Sequence, residues 1–77
     1  MKIIGYADSM FTAADGTVVE GMNIYCTESR KNVIGSACER IYISAAKLND
    51  AGYIPSIDDE IEVLYNKYGK VASIRPL

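Results

Sequence analysis

The sequence has no histidine and no tryptophan, and among its 77 residues only two cysteines, two prolines and one phenylalanine. Without histidine it lacks the commonest general base near neutral pH and the commonest metal ligand. No P-loop, Rossmann glycine run or G-x-S-x-G elbow occurs, so the main nucleotide-binding and acyl-transfer signatures are missing. Cys26 and Cys38 make neither a zinc set nor a disulfide framework. No apolar run approaches the roughly 20 residues of a membrane-spanning helix. The opening MKIIGYADSM is too short in its apolar part for a signal peptide. These absences point away from an enzyme and from any cofactor or metal. They lead us to expect a cytoplasmic protein with reduced thiols and no membrane partner.

What is present is an ordinary globular composition. A hydrophobic fraction of 49% with a charged fraction of 23% argues against disorder. The length suits one domain spanning 1–77, near the lower limit for folding without staples. The net charge is −2, where a nucleic-acid partner usually goes with a basic chain. Asp58, Asp59, Glu60 and Glu62 sit together, however, and setting them aside leaves six acids against eight bases. A basic face is compatible with that distribution.

The clearest local pattern is DDEIEVLYNKYGKVASI, from Asp58 to Ile74. Ile61, Val63 and Tyr65 alternate with Glu60, Glu62 and Leu64, the period of a half-buried strand. Asn66 to Gly69 makes a turn, and Lys70 to Ile74 returns as a second strand. Lys2 to Ala7 reads as the first strand, continued by Phe11 after an irregularity at Asp8 and Ser9. Thr17 to Thr27 alternates, with Val18, Met22, Ile24 and Cys26 inward and Val19, Gly21, Asn23 and Tyr25 outward. Gly21 in mid-strand suggests a bulge or sharp bend. Glu28 to Ser36 is a polar loop. Cys38 to Ser44 alternates again, with Ile41 and Ile43 inward and Arg40 and Tyr42 outward. Ser44 can cap a short helix over Ala45 to Asp50, with Leu48 facing the core and Gly52 ending it. The order β-β-β-α-β-β is that of a five-stranded OB-fold Greek-key barrel. An SH3-like barrel is the alternative, although it has no natural place for the helix.

Two clusters invite a chemical reading and have plainer ones. The acids at 58, 59, 60 and 62 read as a solvated strand start that discourages edge pairing. Cys26 and Cys38, taken as inward on neighbouring strands, read as small buried hydrophobes. The stronger candidate is a binding face. If the second and third strands pair, Tyr25, Arg40 and Tyr42 share the outward side of a sheet, where OB-folds take oligonucleotides. Exposed aromatics stack on bases and basic side chains neutralise phosphate. Arg30 and Lys31 in the intervening loop, with Lys67, Tyr68 and Lys70 in the last hairpin, can flank the same groove. Tyrosines are also common on strands, and the six here can equally cap the ends of a small barrel.

Phe11-Thr12, followed by Gly16 and Gly21, gives an F-T-x3-G-x4-G spacing. In this the chain resembles the gene V single-stranded DNA-binding proteins of filamentous phages. Tyr68-Gly69 before a final apolar strand, and the total length, extend the likeness over about a third of the chain. The resemblance implies an OB-fold that coats single-stranded DNA as a homodimer, in a phage or mobile-element setting of DNA replication, with Tyr25 as the base-stacking residue. The chain departs from that family around the first hairpin. It has Ala14, Val19 and Met22 there, and acids at Asp15 and Glu20, where the phage proteins are basic. The expectation is thus a non-catalytic module for single-stranded DNA or RNA. A protein-interaction adaptor and an acidic DNA mimic are the alternatives.

Overall fold

Isoleucine builds this fold. Ile3, Ile24, Ile41, Ile43, Ile61 and Ile74, joined by Cys26, are the buried hydrophobic core. β-branched side chains pack well on a pleated sheet, and each such burial contributes about 1.5–3 kcal/mol. A computed structural model describes every residue, Met1–Leu77. The chain is mostly antiparallel strand with one short helix: β1 (Lys2–Thr12), β2 (Val18–Glu28), β3 (Ala37–Ser44), α1 (Ala45–Ala51), β4 (Ile61–Tyr65) and β5 (Val71–Pro76). β1, β2 and β3 form one sheet in that order, and β4 pairs with β5 in a second.

In β1 the register slips between Ile3 and Gly5. The irregularity is therefore at Ile4, not at Asp8 and Ser9, and the strand runs unbroken to Thr12. An extra residue in one strand moves every later side chain to the other face. Ile3, opposite Cys26, stays in the core, while Gly5 lies opposite the outward Tyr25. Phe11, opposite Val19, consequently reaches the outer face.

No register slip occurs at Gly21, so the expected bulge is absent there. Its role is close approach. A Cβ on Gly21 would lie 2.5 Å from the Ile43 carbonyl oxygen and 2.6 Å from Tyr42 Cζ, and would strike the Tyr42 hydroxyl. Ile24 and Cys26 are buried as expected, but Val18 is 55% exposed, because it lies on the β1–β2 arm beyond the last β3 residue. Cys38 is also exposed. Odd-numbered residues of β3, Ile41 and Ile43, face the core, and strict alternation places residue 38 on the opposite side.

The helix forms where its caps lie. Ser44 is extended (φ −68°, ψ 152°) and its side chain accepts a hydrogen bond from the Lys47 amide. Gly52 adopts a left-handed conformation (φ 66°), and its N–H donates to the Leu48 and Asn49 carbonyls. Leu48 packs against the core from this helix.

The acidic stretch does not keep strands apart. Asp58 N–H donates to the Ile3 carbonyl at 2.8 Å, Ile3 N–H to the Asp59 carbonyl at 2.9 Å, and Ile61 N–H to the Met1 carbonyl at 2.8 Å. These bonds join the start of β4 to the start of β1. Each of the four acids has a partner: Asp58 with Lys2, Glu60 with the N-terminal amine, Glu62 with Arg75, and Asp59 with the Tyr53 hydroxyl at 2.6 Å. Burial, and then the Asp59 bond, push the Tyr53 phenol well above its ordinary value of 10.0. A group whose pKa is higher in the folded state adds stability below its unfolded pKa and loses it as pH rises through the folded one. Melting temperature should therefore decline above about pH 10, and Tyr53→Phe should flatten that decline. Identical alkaline slopes for the two proteins would assign the loss to other groups.

Candidate nucleic-acid interface

Residues directly opposite on antiparallel strands share a face. The outer face of the three-stranded sheet therefore carries Gly5, Ala7, Ser9 and Phe11 from β1, Gly21, Asn23 and Tyr25 from β2, and Arg40, Tyr42 and Ser44 from β3. Tyr25 pairs with Arg40 in the β2–β3 register and is 41% exposed. On its other side it leans over Gly5, where a Cβ would stand 3.7 Å from Tyr25 Cδ2. The Tyr25–Arg40 neighbourhood is thus an aromatic and a cation side by side on one sheet.

Tyr42 is placed differently from Tyr25. It is half-buried, its ring lies across Gly21, and it meets Phe11 at 6.0 Å between centroids with a 58° tilt. Its hydroxyl is buried without a hydrogen-bond partner. Such an orphaned group costs about 1–3 kcal/mol. Tyr42→Phe is therefore expected to leave the melting temperature unchanged or raise it. A lower melting temperature would show that the hydroxyl has a partner in solution.

Between β3 and the β4–β5 hairpin runs a groove of about 490 Å³. Arg40, Tyr42, Phe11, Lys47, Tyr65 and Lys70 line it, with Glu39 beside them. Lys47 Nζ donates to the Val71 carbonyl at 2.8 Å, which ties α1 to β5 across the groove. Burial, and after it the Glu39 and Glu28 carboxylates, push the Tyr65 phenol up. Three cations and three aromatics in one groove can neutralise phosphate and stack bases.

Of the residues expected to bind, Arg40, Tyr42 and Lys70 come together in this groove, and Tyr25 adjoins it through Arg40. Arg30 is held by two carboxylates, Glu28 at 2.6 Å and Glu39 at 2.9 Å. Both reinforce its charge, which is turned inward on the protein's own acids. Lys31 is exposed in the β2–β3 loop and is not part of the groove lining. Lys67 and Tyr68 are at the exposed tip of the β4–β5 turn, with Lys67 Nζ 5.1 Å from the Tyr68 ring centroid. That turn is tied by Asn66, whose side-chain oxygen accepts from the Tyr68 and Lys70 amides.

Lys47, Tyr65 and Phe11 line the groove without being expected as binding residues, and Asn23 shares the outer face with Tyr42 in the same way. Lys47 reaches the groove by a contact 24 residues away in sequence, which no local pattern encodes. The charge distribution is uneven. Lys2, Arg30 and Arg75 are ion-paired, whereas Lys31, Arg40, Lys47, Lys67 and Lys70 have no carboxylate partner. No cluster of histidine, cysteine or acid side chains suited to a metal ion occurs. No helix is long and apolar enough to cross a membrane. Compared with known protein families, curated proteins and solved structures, the chain matches none of them.

Proposed function

We propose that this chain is a non-catalytic OB-fold module that binds single-stranded nucleic acid, DNA or RNA, across the Tyr25–Arg40 face and the adjoining groove. The observation that carries this reading is the placement of the unpaired cations. Arg40, Lys47 and Lys70 line one groove with three aromatic rings, while Glu28, Glu39, Asp58, Glu60 and Glu62 are ion-paired within the chain and Asp59 accepts from Tyr53. The OB assignment is supported by the seams. β4 bridges to β1 at Lys2 and Glu60, and β3 and β5 face one another across the groove, consistent with a ring ordered β1-β2-β3-β5-β4. The net charge of −2 does not oppose such binding, because phosphates meet the local groove. A cytoplasmic role in phage or mobile-element replication fits the family resemblance. The DNA-mimic alternative has less support, since the acids at 58 to 62 are matched within the chain.

Fluorescence anisotropy of a labelled oligothymidine at low and physiological salt tests the reading. Saturable binding that weakens with salt is expected, because neutralised phosphates release counterions. Arg40→Ala and Lys70→Ala should each lower the salt slope by about one. No binding at tens of micromolar in low salt would overturn it.

A specific observation favours self-association. Beyond Ile3, the second edge of β1 has no strand partner, and from Ile4 to Thr12 it carries neither lysine nor proline, so the bulge at Ile4 and the single charge of Asp8 are its only protections. Ile4, Tyr6 and Met10 are exposed along it. A homodimer joined at this edge is the oligomer we favour, and a protein adaptor using the same edge is the competing reading. Light scattering should give a dimer mass that Met10→Lys reduces to a monomer. A monomer mass for the unmodified chain at micromolar concentration would remove the dimer.

A further inference from the structure

Asn23 occupies the centre of the outer face, on the middle strand of the three. Its neighbours there are Ala7 and Tyr42 across the strands, and Gly21 and Tyr25 two residues away along β2. Asparagine is among the residues that strands disfavour, and in mid-strand it is usually held by a hydrogen bond. Here the carboxamide has no bond within the chain. Asn23 is half-buried, yet its amide is not sealed off, since Tyr42 Oη is the sole buried side-chain polar atom without a partner. Nothing in the fold explains its presence.

The surrounding rings explain where it points. Tyr25 leans over Gly5 of β1, and Tyr42 leans over Gly21, on the far side of Asn23 from Tyr25. The two tyrosines therefore incline away from each other. The floor between them is small: Ala7, Asn23 and the neighbouring Ser9. Arg40 stands at its side, opposite Tyr25. A base laid on this face would have Tyr25 and Tyr42 on either side of Asn23, Arg40 in the next position of β3, and the Asn23 carboxamide within its span.

A carboxamide offers one donor group and one acceptor side by side, which matches adjacent donor and acceptor positions on a base; for asparagine the best match is the N6/N7 edge of adenine. Resting on the single-strand reading above, we infer that Asn23 is the specificity-determining residue of this site, reading the edge of one base and favouring adenine. The outer-face tyrosines then supply sequence-independent stacking, and Asn23 supplies the preference.

The test is anisotropy with labelled dA, dC and dT twelve-mers at one salt concentration, for the natural chain, Asn23→Ala and Asn23→Thr. A preference for dA of at least about fivefold is expected, the lower end for one bidentate base contact. Both variants should bring the three affinities to within about twofold of one another, with the dC affinity and the salt slope unchanged, since no phosphate contact is removed. Threonine, a good strand former, guards against a loss due to unfolding, and a thermal melt checks each variant. Equal affinity of the natural chain for all three oligonucleotides, or a dA preference that survives both substitutions, would overturn the assignment and leave single-strand binding standing. Failure of the natural chain to bind any of them would overturn both.

Discussion

Tyr25→Ala is expected to weaken binding of a short oligothymidine by about 5- to 150-fold, the range given by the loss of one base–aromatic stack at roughly 1–3 kcal/mol. The ring is placed for this. It is supported from one side by the bare backbone of Gly5, where even a Cβ would be in van der Waals contact at 3.7 Å, and it remains 41% exposed. A supported ring loses little conformational freedom when a base settles on it, so more of the stacking energy appears as affinity. Tyr25→Phe should retain most of the binding, because the phenol hydroxyl makes no hydrogen bond within the chain and the π-face is kept. The salt slope should be the same in all three proteins, as Tyr25 neutralises no phosphate. Affinity that is indifferent to Tyr25→Ala would move the platform elsewhere. A change in salt slope would show that the substitution had disturbed Arg40 across the ladder instead.

Gly21→Ala is the substitution expected to harm the fold most relative to its size. The added methyl would meet Tyr42 Cζ at 2.6 Å and the Ile43 carbonyl oxygen at 2.5 Å. The tyrosine ring can swing aside, at the expense of its contact with Phe11. The carbonyl belongs to β3 and can yield only if the β2–β3 ladder shifts. Overpacking of this kind costs about 1–3 kcal/mol, and for a domain of this size each kcal/mol lowers the melting temperature by about 4–8 °C. In a Tyr42→Ala background the ring no longer resists, so Gly21→Ala should cost less, yet the backbone clash keeps it unfavourable. Thermal melts of the four proteins of that cycle separate the two parts. A Gly21→Ala protein as stable as the natural chain would mean that the strands stand farther apart than the structure has them.

Much of the local structure was legible because it depends on neighbours in sequence. The β4–β5 hairpin follows from strict alternation around a turn that ends in Gly69, whose φ is 76°. The helix follows from Ser44 and Gly52, each acting within four residues of itself. The outward set on β2 and the inward pair Ile41 and Ile43 follow from a period of two. Cys38 obeys the same period: its parity is opposite to that of Ile41 and Ile43, so it is exposed and not inward as expected.

Other features depended on distant residues. The acids from Asp58 to Glu62 look like a repulsive patch in sequence, but the fold brings Lys2, Tyr53, the N-terminal amine and Arg75 to meet them. Arg30 looks like a free cation, yet Glu28 and Glu39 flank it once β2 and β3 pair. Lys47 has no local mark of a binding residue. It joins Arg40 and Lys70 only because α1 packs beside β5.

The sequence by itself determined which residues can lie on a core-facing side, where the helix starts and stops, and where the last hairpin turns. Those are consequences of side-chain period and of backbone conformations that few residues tolerate. The tertiary structure alone decided the bulge at Ile4, which keeps Ile3 in the core and sends Phe11 to the outer face. It also decided which cations remain unpaired around the groove. A bulge and an ion pair are both settled by what lies across a strand or a seam, and that neighbour exists only after the chain has folded.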